Sequence, residues 1–233
     1  MRLWLPLLAA VAGAGCSNIT DAGNGIVALD VKVPAHLEVE VGDTIQLAAR
    51  ALDRNGDSVA ADITWAVADT TVGVIPASGR FTGRGIGGTT GRVQATEGTL
   101  VSDYLTFAVL GRADSLALPA VTALTVPAGT TSSASLTAQL LGATGVALGG
   151  HRVVFVITSP AFANAAARTV QLSNGALADT VVTAADGTLS SPVTVDRMTG
   201  VSAPPTVVVE VRALRPSGAP IPGSGQAYTV SFQ

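Results

Sequence analysis

Asp53, Asn55 and Asp57 set oxygen ligands at alternate positions, as a calcium-binding loop does around its ion. Such a loop also needs a glycine after its third ligand and a distal glutamate. Here Gly56 precedes the third ligand and no suitable glutamate follows, so this stretch reads better as a turn. Asp186-Gly187 is a second turn pair. His36 and His151 are the only histidines, they lie far apart in the sequence, and both read as loop or strand-edge residues. Zinc takes three or four ligands, and two distant histidines with one cysteine, Cys16, do not assemble such a set. No G-x-S-x-G nucleophile elbow occurs, and Gly223-Ser224-Gly225 falls in a loop. The run Gly83-Arg84-Gly85-Ile86-Gly87 has no helix after it to complete a phosphate cradle. These residues lead us to expect no catalytic residue, no cofactor and no metal, and hence no enzyme.

Sugar recognition asks for planar aromatics presented outward. Trp65, Phe81, Tyr104 and Tyr228 are the candidates, in a chain with only 4% aromatic residues. Trp65 has a competing role. It ends the stretch GDTIQLAARALDRNGDSVAADITW, residues 42–65, in which Ile45, Leu47, Ala49 and Ala51 alternate with polar or small residues. Ile63, Trp65 and Val67 alternate again after the polar break at Asp53 to Asp57. Period-two alternation means half-buried strands, so the stretch is a hairpin or a corner between sheets, with the indole as a core anchor.

The same reading extends along the chain. Short apolar stretches separated by Gly, Asp, Asn and Ser turns indicate β-sandwiches. RVVFVIT, residues 152–158, is a nearly continuous apolar run and reads as a central strand. SPAFANAAA, residues 159–167, is irregular and reads as a loop or one helical turn. With 233 residues the chain suits one large or two ordinary domains, and LGRA, residues 110–113, reads as a junction between two, too short for free rotation. Charged residues make up only 12%, so Ser, Thr, Gly and Ala must cover the surface. A net charge of −3 argues against nucleic-acid binding, which wants a basic face, so no nucleic-acid partner is expected.

The first residues read MRLWLPLLAAVAGAGCS, with Arg2 ahead of an apolar stretch too short to span a bilayer. Residues 1–15 therefore form a secretory signal peptide. Its end, Gly13-Ala14-Gly15-Cys16, resembles the bacterial lipoprotein signal, with Gly13 standing where that signal usually carries Leu or another aliphatic residue. The resemblance implies lipidation at Cys16, the only cysteine, and two or three acyl chains are enough for stable anchorage. SNITDAGNG, residues 17–25, has the composition of a flexible tether, so residues 16–25 form the lipidated cysteine and its leash.

Residues 26–110 resemble the bacterial immunoglobulin-like domain, group 2. The likeness rests on VGDTIQLAA (41–49), ITWAVAD (63–69), VGVI (72–75), SGRFTG (78–83) and GGTTGRVQA (87–95), in that order and spacing. Residues 111–233 are similar, more loosely, to the invasin-like bacterial immunoglobulin domain, group 1, through VALGGHRVVFVIT (146–158), AADGTLSSPVTV (184–195) and PTVVVEVRA (205–213). The resemblances imply an all-β chain of two tandem immunoglobulin-like β-sandwiches. The expected protein is a non-catalytic, lipid-anchored cell-envelope module that acts as a spacer or in adhesion. It is extracytoplasmic and held on a bacterial membrane, at the outer membrane or cell surface rather than the inner membrane. Its partners are the membrane, through the lipid, and a protein or glycan at the surface. The competing class is a polysaccharide- or peptidoglycan-binding module, which an outward aromatic patch would favour.

Overall fold

The structure is a computed structural model that describes residues 25–202 and 204–233. Cys16, the expected signal peptide of residues 1–15 and most of the expected tether lie outside the described residues. Helix within the described part is limited to two three-residue 3-10 turns, Ala143–Gly145 and Ala165–Ala167. The second of these lies in the irregular stretch after a cis Ser159–Pro160 bond. Among the described residues no helix is long and apolar enough to cross a membrane.

The first half opens with β1 (Ala28–Lys32) and β2 (Glu38–Glu40). β3 (Thr44–Gln46) and β4 (Ala48–Leu52) follow, separated by Leu47. Next come β5 (Ser58–Val59), β6 (Thr64–Val67), β7 (Gly73–Val74) and β8 (Arg80–Gly83). The half ends with β9 (Thr89–Glu97), β10 (Leu100–Val101) and β11 (Leu105–Leu110). One layer has β9 between β6 and β11, with β2 parallel to β11 beyond it. The other is built from β1-β4-β5 and β3-β8-β7. The opening stretch is thus both a hairpin and a corner. β4 turns back onto β5 with Leu52 opposite Ser58, and the chain then crosses to the other layer, where β6 pairs with β9.

Phe81 of β8 and Phe107 of β11 stack across the layers with ring centroids 5.2 Å apart, and both are fully buried. Val39, Leu47, Val72, Val93 and Val109 complete this core. Trp65 is only partly buried and packs against the core from its margin. Expecting it as the anchor was wrong because β6 is bonded to β9 alone and forms the edge of its layer. The anchor is the phenylalanine pair.

The second half comprises β12 (Ser115–Ala117), β13 (Ala123–Val126), β14 (Gln139–Leu141), β15 (Arg152–Ser159) and β16 (Val170–Leu172). It continues with β17 (Ala178–Val182), β18 (Val195–Arg197), β19 (Thr206–Ala213) and β20 (Gln226–Phe232). Its main sheet has the order β13-β20-β19-β15-β17. β15 is interior to that sheet, as its apolar run predicts, with β19 and β17 on its two sides. The facing layer is made of β12-β14 and β16-β18, tied by bridges such as Leu136 to Val193. Phe155, Val209, Val211 and Val230 meet Leu136, Leu140, Leu172 and Val193 in a core separate from that of the first half. The two halves are immunoglobulin-like β-sandwiches, each with one parallel pair at a sheet edge, β2 with β11 and β13 with β20.

Candidate functional site: the junction between the sandwiches

Adjacent residues of a strand face opposite sides of their sheet. In β2 both Val39 and Glu40 are buried, so something covers each face. Val39 belongs to the first core. Glu40 points at the second sandwich and is wholly buried there, where its Oε2 accepts a hydrogen bond from Arg215 Nη1. Arg215 follows β19 in a tight turn, with Arg215 N–H donating to the Ala219 carbonyl and Gly218 N–H to the Arg215 carbonyl. Its Nη2 donates to the Ala113 carbonyl at 2.6 Å, so one guanidinium holds the first sandwich, the linker and its own turn.

His151, placed by the start of β15, closes the cluster. Its ring is 1% exposed, and Nδ1 stands 3.5 Å from Glu40 Oε1, too far for a good hydrogen bond. The main chain at His151 is fixed by Thr183, whose Oγ1 accepts its N–H at 3.1 Å and whose N–H donates to its carbonyl. Glu40 Oε1 and His151 Nε2 have no hydrogen-bond partner. Burial pushes the Glu40 carboxyl above its ordinary range, against the pull of the Arg215 guanidinium. Burial also holds the His151 imidazole below the ordinary histidine value, against a hydrogen bond with the Gly111 backbone.

The rim of the junction is wetter. Arg152 Nη2 donates to Glu38 Oε1 at 2.8 Å, and Arg152 Nη1 stands 2.8 Å from His36 Nδ1. The two histidines, far apart in the sequence, therefore line one cleft of about 180 Å³ with Glu38, Arg152 and Arg215. His151 does lie at a strand edge, just ahead of β15, and it is buried there because the second sandwich docks its β15 end onto β2. Even so, no group of three or more metal-ligating side chains occurs among the described residues. Each cationic side chain of the cleft is engaged by a carboxylate across the junction, Arg215 by Glu40 and Arg152 by Glu38. What these groups can do chemically is fasten one sandwich to the other.

Elsewhere the sequence-selected residues occupy turns or core. Asp53 Oδ1 accepts the N–H groups of Asp57 and Asn55 at 2.9 and 2.8 Å, which holds its carboxyl below the usual range. Asp186 Oδ1 does the same for Thr188 N–H and also accepts its hydroxyl. Of the four aromatic candidates, Phe81 and Tyr228 are buried, and the Tyr228 hydroxyl donates to the Thr137 carbonyl. Trp65 is partly buried, and Tyr104 is 51% exposed with the Arg92 guanidinium 5.0 Å from its ring centroid. Sequence reasoning did not single out Glu40, Arg152 or Arg215.

No protein-family model matches the sequence, and no curated protein matches it. Among solved structures, the chain is similar to the adhesin InvE of Yersinia pseudotuberculosis at 18% identity, with 91% of this chain and 61% of that one covered and a TM-score of 0.40. It is similar to the fibronectin(III)-like modules of Clostridium thermocellum CbhA at 14% identity, 88% and 94% coverage and a TM-score of 0.38. The D00-D0 domain of intimin gives 19% identity, 88% and 99% coverage and a TM-score of 0.33. The chain thus spans 61% of the length of the adhesin it matches.

Proposed function

We propose that this chain is a non-catalytic, extracytoplasmic module of the bacterial cell envelope that is anchored by lipid at Cys16 and holds an interaction surface away from the membrane. On this reading the first half is a group 2 and the second an invasin-like group 1 bacterial immunoglobulin-like domain. The observation that carries it is the junction, where the ionised side chains engage one another across two sandwich cores. A module whose task is to hold position needs such a fastening, and the lipoprotein-like end of the signal gives it a point of attachment. The test is metabolic palmitate labelling with detergent partitioning of the native protein and of Cys16→Ala. The expected outcome is label and detergent-phase recovery for the native protein and loss of both in the variant. Undiminished label in Cys16→Ala overturns the anchor.

The glycan-binding alternative has one specific feature behind it, the exposed Tyr104 with Arg92 against its ring. If Tyr104 is a sugar platform, Tyr104→Ala lowers retention on insoluble peptidoglycan or polysaccharide, while equal retention of both proteins removes this reading.

A further inference from the structure

Glycines line the place where the first sandwich, the linker and the second sandwich meet. Gly87, in the loop before β9, lies against Gly111 so closely that a Cβ on Gly87 would overlap the Gly111 backbone nitrogen. A Cβ on Gly111 would in turn stand 2.6 Å from Leu148 Cδ2. The same leucine lies over Gly142, 3.3 Å from a Cβ there, and packs against the second core. From the other side, a Cβ on Gly150 would stand 2.9 Å from Leu110 Cδ2. Gly87, Gly111 and Gly142 all have φ outside the left-handed region, so their backbone does not require glycine. What requires it is the approach of chain to chain.

This packing is separate from the ionic cluster, which joins Glu40, Arg215 and the Ala113 carbonyl. The linker is thus held twice. Leu148 sits on it at Gly111, and Arg215 holds it at Ala113. Arg112, between them, faces Asp43 at 3.7 Å and Asp114 at 3.9 Å. Bending at residues 110–113 would uncover Leu110 and Leu148 and would leave the Glu40 carboxylate without its cation.

We infer that the junction is a lock and not a hinge, so that the two sandwiches keep one relative orientation and unfold as a single cooperative unit. The inference depends on how the linker is packed and held by Arg215, and stands apart from any surface role or lipid anchor. Two consequences are measurable in the full mature chain carrying Cys16→Ser. Scanning calorimetry should show one transition for the otherwise unaltered protein, and spin labels at Asn55→Cys and Asn174→Cys, both exposed turn residues, should report one narrow distance distribution.

Gly87→Ala inserts a wedge between the loop and the linker without asking for a new backbone conformation. Leu148→Ala removes the plug and adds nothing. Either change should split the transition in two or lower it by roughly 5 °C or more, and should broaden the distance distribution. Val101→Ala, at an exposed position in the first sandwich, should do neither. Two transitions in the unaltered protein overturn the lock. So do an unshifted transition and an unchanged distance distribution in Leu148→Ala, which decides the matter if Gly87→Ala does not fold.

Discussion

Removing the Arg215 guanidinium leaves the Glu40 carboxylate buried without its cation. Deleting one member of such a pair typically costs about 3–5 kcal/mol, whereas replacing both by apolar groups is often neutral or better. Arg215→Ala should therefore lower the denaturation midpoint sharply, and Glu40→Leu with Arg215→Met should recover most of the loss. A double variant as unstable as the single one would mean that Arg215 acts chiefly through its bond to the Ala113 carbonyl. His151 predicts a pH dependence. Its folded pKa lies below the ordinary 6.5, so its stabilisation is complete above that value and is lost as pH falls through the folded pKa. Glu40 works in the opposite sense. Its folded pKa lies above 4.5, so its favourable linkage is present below that value and is lost as pH rises through the folded pKa. Around them stand Arg215 on the Glu40 carboxylate, and Glu38, Arg152 and His36 at the rim. His151→Gln removes only the first effect, so its melting temperature should fall less than the native protein's between about pH 7 and about pH 5. Of this cluster the sequence pointed only to the two histidines, and not to their coming together. Glu40 sits in LEVEV, where period two predicts a solvated glutamate, and its burial comes from a surface that includes Arg215, 175 residues further along the chain.

Strands were more legible than their burial, and β6 and β8 show why. Alternation at Ile63, Trp65 and Val67 correctly marks a strand, because the pleat forces side chains to opposite faces. It does not tell an edge from an interior position, and the large indole drew the core assignment to the edge. β8 is only four residues long and offers one short alternation around Phe81, yet its phenylalanine is completely enclosed. Gly73 explains part of the enclosure, since a Cβ there would overlap the Phe81 ring. The turn before β8 was readable for a local reason. Gly79 has φ +76° and would bring a Cβ within 2.8 Å of the Leu47 carbonyl, so both backbone and space ask for glycine. The prediction at this scale is a ranking. Phe81→Ala should cost about 3–5 kcal/mol, as expected for a fully buried aromatic, and Trp65→Ala clearly less. Equal losses in chemical denaturation would restore Trp65 as an anchor.

At the scale of the whole molecule the two cores are unequal. Among the described residues, twenty-one buried hydrophobic residues pack into the second core and seven into the first, with Ile26, Ala51, Ala95 and Leu110 buried outside that cluster. A small sandwich with a small core is marginal by itself, because surface grows relative to volume as a domain shrinks. The first sandwich also borrows cover from the second, which buries Glu40 and packs Gly150 against Leu110. Cutting the chain should therefore be asymmetric. Residues 114–233 retain nearly all of their core, losing only Ala113 from it, and should fold cooperatively with strand-type circular dichroism. Residues 26–110 keep the Phe81–Phe107 stack but expose Leu110, so they should fold weakly or melt well below the full chain. Solvation of Glu40 in the cut piece relieves its burial and works against this loss, which makes Glu40→Gln in that piece an informative control. The comparison needs only melting curves of the two pieces and the whole. If residues 26–110 melt at the temperature of the intact protein, the first sandwich owes nothing to its neighbour, and the junction transmits orientation without transmitting stability.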